Sequence, residues 1–235
     1  YNGWSEPNAE PIENSYSTGD IQGTGYIGGL IGGNNSEGDN GIVRNCYATG
    51  NITAGGNLAG GLIGLHYKGD VENCYYKTGT VTGVDYVGGL IGNIGKVTSI
   101  SKGEISVNNS YSSGNVIGDS DVGGFAGKLN NYRPDEKQIS NCYSKGDVTR
   151  ISGSTDTTFG GFIGNNASTG NVTNNYSTSS VYYEDTNPTD KGFAGADPNN
   201  DCSNNFFDSE ASNQSSATGA TAKTSAEMKD YYTFF

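Results

Sequence analysis

The sequence predicts an all-β chain wound into a parallel β-helix, a β-solenoid of about six to seven coils with a cap at each end. Three observations predict it: a glycine-rich pentapeptide recurs, a second motif built on Asn-x-Tyr recurs between its copies, and short strand-like pieces are separated by Gly, Asn, Asp and Ser with no helical period. Repeats at about 20–50 residues are typical of solenoids, propellers and arrays. Because parallel crossover connections favour one hand, we expect a right-handed coil.

The second motif supplies one asparagine to each coil and one tyrosine to most. The asparagines are Asn14, Asn45, Asn73, Asn109, Asn141, Asn174 and Asn204. The tyrosines are Tyr16, Tyr47, Tyr75, Tyr111, Tyr143 and Tyr176. Identical residues on successive coils lie about 4.8 Å apart. We therefore expect an asparagine ladder, in which each amide donates to the next side-chain carbonyl, and a stack of tyrosine rings. Both sets are assigned a structural role.

The glycine-rich segment has two apolar faces when it is read as one strand. It reads GGLIG at residues 28–32, 60–64 and 88–92, GGFAG at 123–127, GGFIG at 160–164 and GFAG at 192–195. Period-2 alternation places the isoleucines on one face. The other face carries Leu30, Leu62, Leu90, Phe125 and Phe162. One face must line the coil interior, and the other is either covered or exposed as an apolar interaction surface. The sequence leaves open which face is inside.

Each repeat is expected to form one coil with three short strands on three faces. In the second copy these strands are residues 43–48, 51–54 and 58–64. Residues 1–235 are interpreted as a single solenoid domain, with 1–11 as an N-terminal cap, 12–206 as the repeats and 207–235 as a C-terminal cap or tail. The spacing of Thr224 and Glu227 predicts a capping box in that last segment. The longest insertions, residues 128–137 and 182–191, are expected to be loops on the side of the rod.

The charge of the chain argues against two classes of partner. The formal net charge is −12, and the acidic residues are scattered along the sequence. Nucleic acids and anionic membrane surfaces both require clusters of Lys and Arg, so neither is expected as a partner. No apolar stretch is long enough to span a bilayer, so membrane insertion is not expected either. Because the chain begins abruptly in repeat-like sequence, we interpret it as a fragment of a longer protein.

Three of the four cysteines share one position in the repeat. Cys46, Cys74 and Cys142 stand where other copies have serine or asparagine. Cys46 and Cys74 fall on adjacent coils, where a Cα separation of about 5 Å permits a disulfide. The alternative is a ladder of small residues in which the thiols stack without bonding. No Cys-x-x-Cys pair is present, so structural zinc is not indicated.

The remaining candidate sites are each explained more simply by structure. Residues 23–28 match G-x-G-x-x-G, but no helical pattern follows them, so a coil corner is expected. His66 is the only histidine, which argues against histidine-rich zinc sites and a Ser-His-Asp triad. Carboxylates occur in pairs, which we interpret as solvated loop charge: Asp119 with Asp121, Asp135 with Glu136, and Glu184 with Asp185. No catalytic, cofactor-binding or metal-binding residue is assigned.

The unit Asn-Cys-Tyr-Ala-x-Gly-Asn-Ile at residues 45–52, followed by Gly-Gly-Leu-Ile-Gly, resembles the bacterial GLUG repeat. The resemblance covers about residues 12–206. It implies a large secreted or surface-attached bacterial protein. Many such proteins are similar to adhesins, and others are immunoglobulin A-specific metallopeptidases in which the repeats accompany a separate zinc domain. The zinc motif His-Glu-x-x-His does not occur in this sequence.

The first functional hypothesis is therefore a non-enzymatic repeat segment of a secreted or cell-surface bacterial protein, acting as an adhesin-type stalk or binding rod. Its expected partner is a host or cell-surface protein or glycan, and no cofactor is expected. One alternative is the non-catalytic accessory region of an immunoglobulin A-specific metallopeptidase. A second alternative is a carbohydrate-active β-helix, which would need paired acids and stacked aromatics in a groove.

Overall fold

The structure is a computed structural model that describes residues 10–34, 41–95, 105–130, 137–184 and 186–230. Within these ranges the chain is a solenoid of stacked parallel strands, and its only helical element is a 3-10 turn, Glu227–Lys229. The predicted fold class is confirmed. The predicted N-terminal cap falls mostly outside the described residues, as do residues 131–136 of one predicted loop and residues 231–235 of the predicted tail.

The described strands make five complete coils, followed by a sixth coil with four strands and a partial seventh. The first coil contains β1 Ile12–Glu13, β2 Tyr16–Ser17, β3 Ile21–Gly23, β4 Ile27–Gly28 and β5 Ile31–Asn34. The second contains β6 Val43–Arg44, β7 Tyr47–Ala48, β8 Ile52–Ala54, β9 Ala59–Gly60 and β10 Ile63–His66. The third contains β11 Gly69–Glu72, β12 Tyr75–Tyr76, β13 Thr80–Thr82, β14 Asp85–Gly88 and β15 Ile91–Gly95. The fourth contains β16 Ile105–Asn108, β17 Tyr111–Ser112, β18 Asn115–Gly118, β19 Ser120–Gly123 and β20 Ala126–Asn130.

The later coils become incomplete toward the end of the chain. The fifth coil contains β21 Lys137–Ser140, β22 Tyr143–Ser144, β23 Val148–Arg150, β24 Phe159–Gly160 and β25 Ile163–Asn166. The sixth contains β26 Asn171–Thr173, β27 Tyr176–Ser177, β28 Val181–Tyr182 and β29 Ala194–Ala196. The partial seventh contains β30 Cys202–Ser203 and β31 Phe206–Asp208, and β32 Thr221–Lys223 follows it. The number of complete coils is therefore slightly lower than predicted.

Equivalent strands of successive coils pair in parallel and form five sheets, which we number in their order along the coil. Sheet 1 contains β1, β6, β11, β16, β21, β26 and β30. Sheet 2 contains β2, β7, β12, β17, β22, β27, β31 and β32. Sheet 3 contains β3, β8, β13, β18, β23 and β28. Sheet 4 contains β4, β9, β14, β19 and β24, and sheet 5 contains β5, β10, β15, β20, β25 and β29. A complete coil therefore has five short strands. The prediction of three strands on three faces was wrong, because the chain bends at one corner within residues 43–48 and at another within residues 58–64, so each of these two predicted strands becomes two.

The register between coils places equivalent repeat positions directly above one another. In sheet 1, Val71 pairs with Val43 on one side and with Val107 on the other. All three side chains are fully buried. Since β-branched side chains pack well on a pleated surface, such columns form a continuous core along the inside of the rod.

The first corner lies at the repeated asparagines. All seven adopt the left-handed conformation, with φ between 50° and 60°, and all seven side chains are exposed. Asparagine tolerates this conformation better than most residues because its short polar side chain can hydrogen-bond locally. Among the described residues, a hydrogen bond between the side-chain amides of two corner asparagines is found only from Asn45 Nδ2 to Asn14 Oδ1, at 3.4 Å. The asparagines therefore share a backbone geometry rather than the expected amide ladder.

The residue after each corner asparagine points inward and donates a hydrogen bond to a backbone carbonyl. Cys74 Sγ lies 3.2 Å from Glu72 O, and Ser110 Oγ lies 2.8 Å from Asn108 O. Asn175 uses its longer amide to reach Ile139 O at 3.1 Å. This shared donor role explains why Cys, Ser and Asn alternate at the position. All four cysteines are free thiols, so the disulfide considered between Cys46 and Cys74 is not formed.

The second corner lies inside the glycine-rich segment. In the third coil β14 ends at Gly88, the chain bends at Gly89 and Leu90, and β15 begins at Ile91. The bend interrupts the period-2 alternation, so that Leu90 and its neighbour Ile91 are both fully buried. Leu62, Phe125 and Phe162 are fully buried in the same way, and Leu30 packs against the core. The prediction of a single strand with two faces was therefore wrong, and these residues form no exposed apolar stripe.

Glycine is required at this corner because backbone meets backbone there. A Cβ on Gly88 would overlap the carbonyl oxygen of Ile91 and would lie 2.7 Å from the nitrogen of Gly127. A Cβ on Gly127 would lie 2.5 Å from the nitrogen of Val87, which belongs to the preceding coil. Sheets 4 and 5 thus approach each other with no side chain between them at the glycine positions.

We predict that Gly88→Ala destabilises the solenoid by about 3 kcal/mol or more, because the new methyl group would meet only backbone atoms, which cannot move aside as a flexible side chain would. Gly19→Ala is the matched control, since no atom lies within 4 Å of its Cβ position. Urea unfolding followed by circular dichroism measures both. Equal unfolding midpoints for the two variants would contradict the proposed packing.

We predict that Asn73→Ala lowers the free energy of unfolding by about 1 kcal/mol, because the Cβ of alanine is strained in the left-handed conformation and its side chain has no polar group to compensate. Asn73→Gly should lose less, since glycine adopts this conformation without a steric penalty. The same urea titration compares the two. If the side-chain amide were the important group, both variants would lose it and would be destabilised alike.

Candidate binding surface at the tyrosine column

The most regular exposed feature is the tyrosine column, which we define as Tyr16, Tyr47, Tyr75, Tyr111, Tyr143 and Tyr176. Each tyrosine is the first residue of its strand in sheet 2 and points outward. Neighbouring ring centroids lie 4.7–5.0 Å apart, with interplanar angles of 2–5°. Tyr16 is 63% exposed, and the other five are half-buried.

The stacking determines which part of each ring a ligand can reach. In the middle of the column, both faces of a ring such as Tyr75 are covered by its neighbours. The accessible surface is therefore a line of ring edges and hydroxyl groups. Sugars that stack on aromatic faces would find no free face there. The column can instead offer hydrogen bonds and edge contacts at a spacing of about 4.8 Å.

Polar residues border the column on both sides. The exposed corner asparagines lie on one side, two positions before each tyrosine. The other side has residues two positions after each tyrosine: Thr18, Thr49, Lys77, Ser113, Lys145 and Thr178. The whole face is therefore a periodic array of amide, phenol and hydroxyl groups interrupted by two lysines.

Burial raises the pKa of several tyrosines in the column. For Tyr111 the main cause is desolvation of the charged form, followed by repulsion from Tyr143 and Tyr75. The pKa values of Tyr143 and Tyr176 are raised for the same leading reason. Each phenolate that formed would sit between neighbouring rings rather than in open water, so the neutral phenol is favoured.

The C-terminal segment, residues 221–229, lies beside the last rings of the column, and we call it the C-terminal wall. β32 pairs in parallel with β31 and extends sheet 2, so that Thr221 lies beside Phe206. The predicted capping box follows: Thr224 N donates to Glu227 Oε2 at 2.8 Å, and Glu227 N donates to Thr224 Oγ1 at 3.2 Å. This box precedes the 3-10 turn Glu227–Lys229.

Asp208 anchors this wall to the last coil. Its carboxylate accepts hydrogen bonds from Ser225 Oγ at 2.8 and 2.9 Å. It also accepts bonds from the backbone nitrogens of Glu210 at 3.0 Å and Ala211 at 2.8 Å. Only 5% of Asp208 is exposed. The charge of this carboxylate is thus stabilised by donors within the segment itself.

His66 is buried in the structure and has no catalytic arrangement around it. Its Nε2 lies 2.9 Å from Gly69 O, and its Nδ1 lies 3.2 Å from the amide nitrogen of Asn34. Desolvation lowers its pKa to about 4, so the ring is neutral at physiological pH. It pairs in register with Asn34 on one side and with Ile94 on the other. The histidine therefore fills one place in an interior column.

The cysteines are equally enclosed. Burial raises the pKa of Cys74 and of Cys142 to about 12. Burial also raises the pKa of Cys202, whose backbone nitrogen donates to Asp197 Oδ2 at 3.1 Å. A thiol held protonated in this way is a poor nucleophile. The cysteines therefore serve packing and hydrogen bonding.

One predicted loop carboxylate has a different role. Asp121, expected to be solvated loop charge, is only 5% exposed and forms an ion pair with Lys128 at 2.9 Å. Asn165 donates to its other oxygen at 3.0 Å, and the Lys128 ammonium lies 4.9 Å from the centre of the Tyr86 ring. The position explains the difference, because Asp121 stands at a corner with φ 50° in sheet 4 rather than in an open loop.

The other carboxylate pairs form no catalytic arrangement in the described ranges. Glu184 accepts hydrogen bonds from Ser152 Oγ at 2.6 Å and from Gly153 N at 2.8 Å, which ties two surface segments together. Asp135, Glu136 and Asp185 lie outside the described residues. Across the described ranges, no group of three or more His, Cys, Asp and Glu side chains is placed to hold a metal ion.

Comparison with known families gives one match. Residues 23–53 carry the GLUG motif. The match begins at Gly23 in β3 and ends at Thr53 in β8, the equivalent strand of the next coil in sheet 3. One GLUG motif therefore corresponds to one turn of the solenoid. Comparison with curated proteins and with solved structures gives no significant match. Among the described residues, no helix is long and apolar enough to cross a membrane.

We predict that the chain loses stability as the pH rises above about 10. The tyrosines with raised pKa values keep their protons in the folded state, whereas the unfolded chain releases them near a pKa of about 10. Unfolding then releases protons, and the free energy of unfolding falls as the pH rises through the folded pKa values. Urea midpoints at about pH 9 and about pH 11 measure this loss.

Tyr111→Phe provides the control for this prediction, because it keeps a ring in the column and removes one titrating hydroxyl. Its alkaline loss of stability should be smaller than that of the natural chain. Tyrosinate absorbance should also rise at higher pH in the folded chain than in guanidinium. Coincident titration curves would show that the column does not retain its protons.

Proposed function

We propose that this chain is a non-enzymatic repeat segment of a secreted or cell-surface bacterial protein, acting as an adhesin-type rod that carries a binding surface. The observation that carries the proposal is the repetition of identical outward groups along the solenoid, above all the tyrosine column. Such a surface offers many equivalent weak contacts to an extended partner. A host or cell-surface protein or glycan fits this description.

The use of the chemically reactive side chains supports a binding role. His66 is neutral and enclosed, the cysteines are buried free thiols, and Asp121 is held in an ion pair. Catalysis requires reactive groups that converge on one place where a substrate can reach them. In the described residues these groups are instead distributed through interior columns.

Neither alternative function has a specific observation in its favour. A carbohydrate-active β-helix would place paired acids in an open groove, whereas Asp121 is buried against Lys128 and Glu184 is occupied by Ser152 and Gly153. Association with an immunoglobulin A-specific peptidase would depend on sequence beyond this chain.

We predict that the purified chain binds a component of an immobilised panel of cell-surface glycoproteins and polysaccharides, measured by biolayer interferometry. Tyr75→Ala combined with Tyr111→Ala should weaken that binding at least tenfold, because it removes two adjacent ring edges from the middle of the column. Thr53→Ala combined with Thr82→Ala is the matched control. These two threonines pair with each other and point outward on sheet 3, away from the tyrosines.

Both double variants should first be shown to be folded by circular dichroism, since each lost ring contact removes about 0.5–1.5 kcal/mol. Absence of binding to the whole panel would reject the binding role and leave a spacer. Release of saccharide products, or cleavage of immunoglobulin A by the chain alone, would overturn the non-enzymatic assignment.

A further inference from the structure

The C-terminal end of the tyrosine column contains an open groove that the repeats alone would not form. Its volume is about 310 Å³. It is lined by Tyr143, Lys145, Tyr176 and Thr178 from the tyrosine column and its border, and by Ser225 and Lys229 from the C-terminal wall. A volume of this size is at the lower end of the range for small-ligand sites.

Two lysines on separate parts of the chain meet at this groove. Lys145 belongs to the line of residues beside the tyrosine column, and Lys229 ends the 3-10 turn. Both are exposed, and neither has an ion-pair partner among the described residues. The nearby Lys223 differs, because it lies 4.0 Å from a carboxylate oxygen of Glu227. The chain has 13 basic and 25 acidic residues, so a groove lined by Lys145 and Lys229 differs in its local charge from the acidic chain as a whole.

One carboxylate also lines the groove and offsets part of this positive charge, but among the described residues it forms no ion pair with either lysine. Asp208 is among the lining residues, but its oxygens already accept bonds from Ser225 and from two backbone nitrogens. It is also nearly inaccessible to solvent. The groups left for a ligand are therefore the two ammonium groups and the exposed tyrosine edges.

A second surface cavity of about 470 Å³ is a weaker candidate. No charged residue lines it, and several of its polar side chains are already used within the chain. Gln214 donates to Pro188 O at 3.0 Å and accepts from Lys191 N at 2.9 Å, while Ser215 Oγ donates to Thr189 O at 3.0 Å. This cavity lacks a charged donor that would select an anionic ligand.

We propose that the groove at Tyr143, Lys145, Tyr176 and Lys229 binds a carboxylate-bearing sugar, such as a hexuronic or sialic acid residue of a glycan. The two lysines are placed to form charge-assisted hydrogen bonds with the carboxylate. The exposed tyrosine edges offer van der Waals contact to the sugar ring, and the phenol hydroxyl of Tyr143 can hydrogen-bond with its hydroxyls. This inference rests on the proposed binding function and names the ligand class for one end of the same surface.

The test uses the intact chain and two sugars that differ only at C6, which is a carboxylate in methyl β-D-glucuronide and a hydroxymethyl group in methyl β-D-glucoside. Binding is followed by amide chemical shifts in nuclear magnetic resonance spectra. We expect the glucuronide to bind at least tenfold more tightly than the glucoside, with shifts concentrated at Thr178 and Ser225. Its affinity should fall as salt is added, because the lysine contacts are exposed.

Lys145→Met and Lys229→Met should each weaken glucuronide binding at least fivefold. Lys77→Met is the matched control, since Lys77 occupies the same position beside the tyrosine column two coils earlier and does not line the groove. All three lysines are exposed, so the fold should be retained in every variant. Equal binding of the two sugars, an equal effect of Lys77→Met, or no effect of either groove variant would overturn the proposal.

The outcomes also separate this inference from the proposed function. If the chain binds a panel component through the tyrosine column but does not distinguish the two sugars, only the groove assignment fails. If the chain cleaves a glucuronide-containing polysaccharide, the non-enzymatic function fails while the groove remains a binding site.

Discussion

The close approach of backbone to backbone at the glycine-rich corner is the constraint on which the rest of this solenoid depends. A side chain at Gly88 or Gly127 would collide with main-chain atoms of a neighbouring strand, so sheets 4 and 5 can meet only where these positions are glycine. Their contact forces the sharp bend between β14 and β15, and the bend turns both Leu90 and Ile91 into the core. The narrow apolar interior is therefore a consequence of the residues that have no side chain.

The regular register then decides how chemistry is distributed on the surface. Each residue type recurs beside its equivalent on the next coil, as Tyr75 does between Tyr47 and Tyr111. A group that is useful once is therefore repeated in a line, and a partner that recognises the line gains from many similar contacts. Convergence of different reactive groups on one point is difficult to achieve in such an array, and this supports the binding role proposed for the column.

The sequence was sufficient to predict the features that depend on repetition and insufficient for those that depend on a bend or on the ends of the chain. Spacing alone predicted the stacked tyrosines, because equivalent positions must align once coils are stacked. Period-2 alternation failed at Leu90, since alternation holds only while the strand continues. The ladder interpretation of the asparagines missed their left-handed backbone, although Asn is a common residue for that conformation. The buried pair of Asp121 and Lys128 could not be read from sequence, because both lie in segments of variable composition.

The groove follows from the same reasoning, since a unique site in a repetitive rod must arise where the repetition stops. Tyr143 and Tyr176 are ordinary members of the column, and nothing in their own repeats distinguishes them from Tyr75 or Tyr111. The difference comes from β32, which pairs with β31, and from the turn that follows it, which brings Lys229 to the groove that Lys145 also lines. These two lysines are far apart in sequence, and their proximity depends on the anchoring of Ser225 by Asp208. The end of the solenoid thus supplies the asymmetry that its repeats cannot, and specificity for one ligand is most readily built at that end.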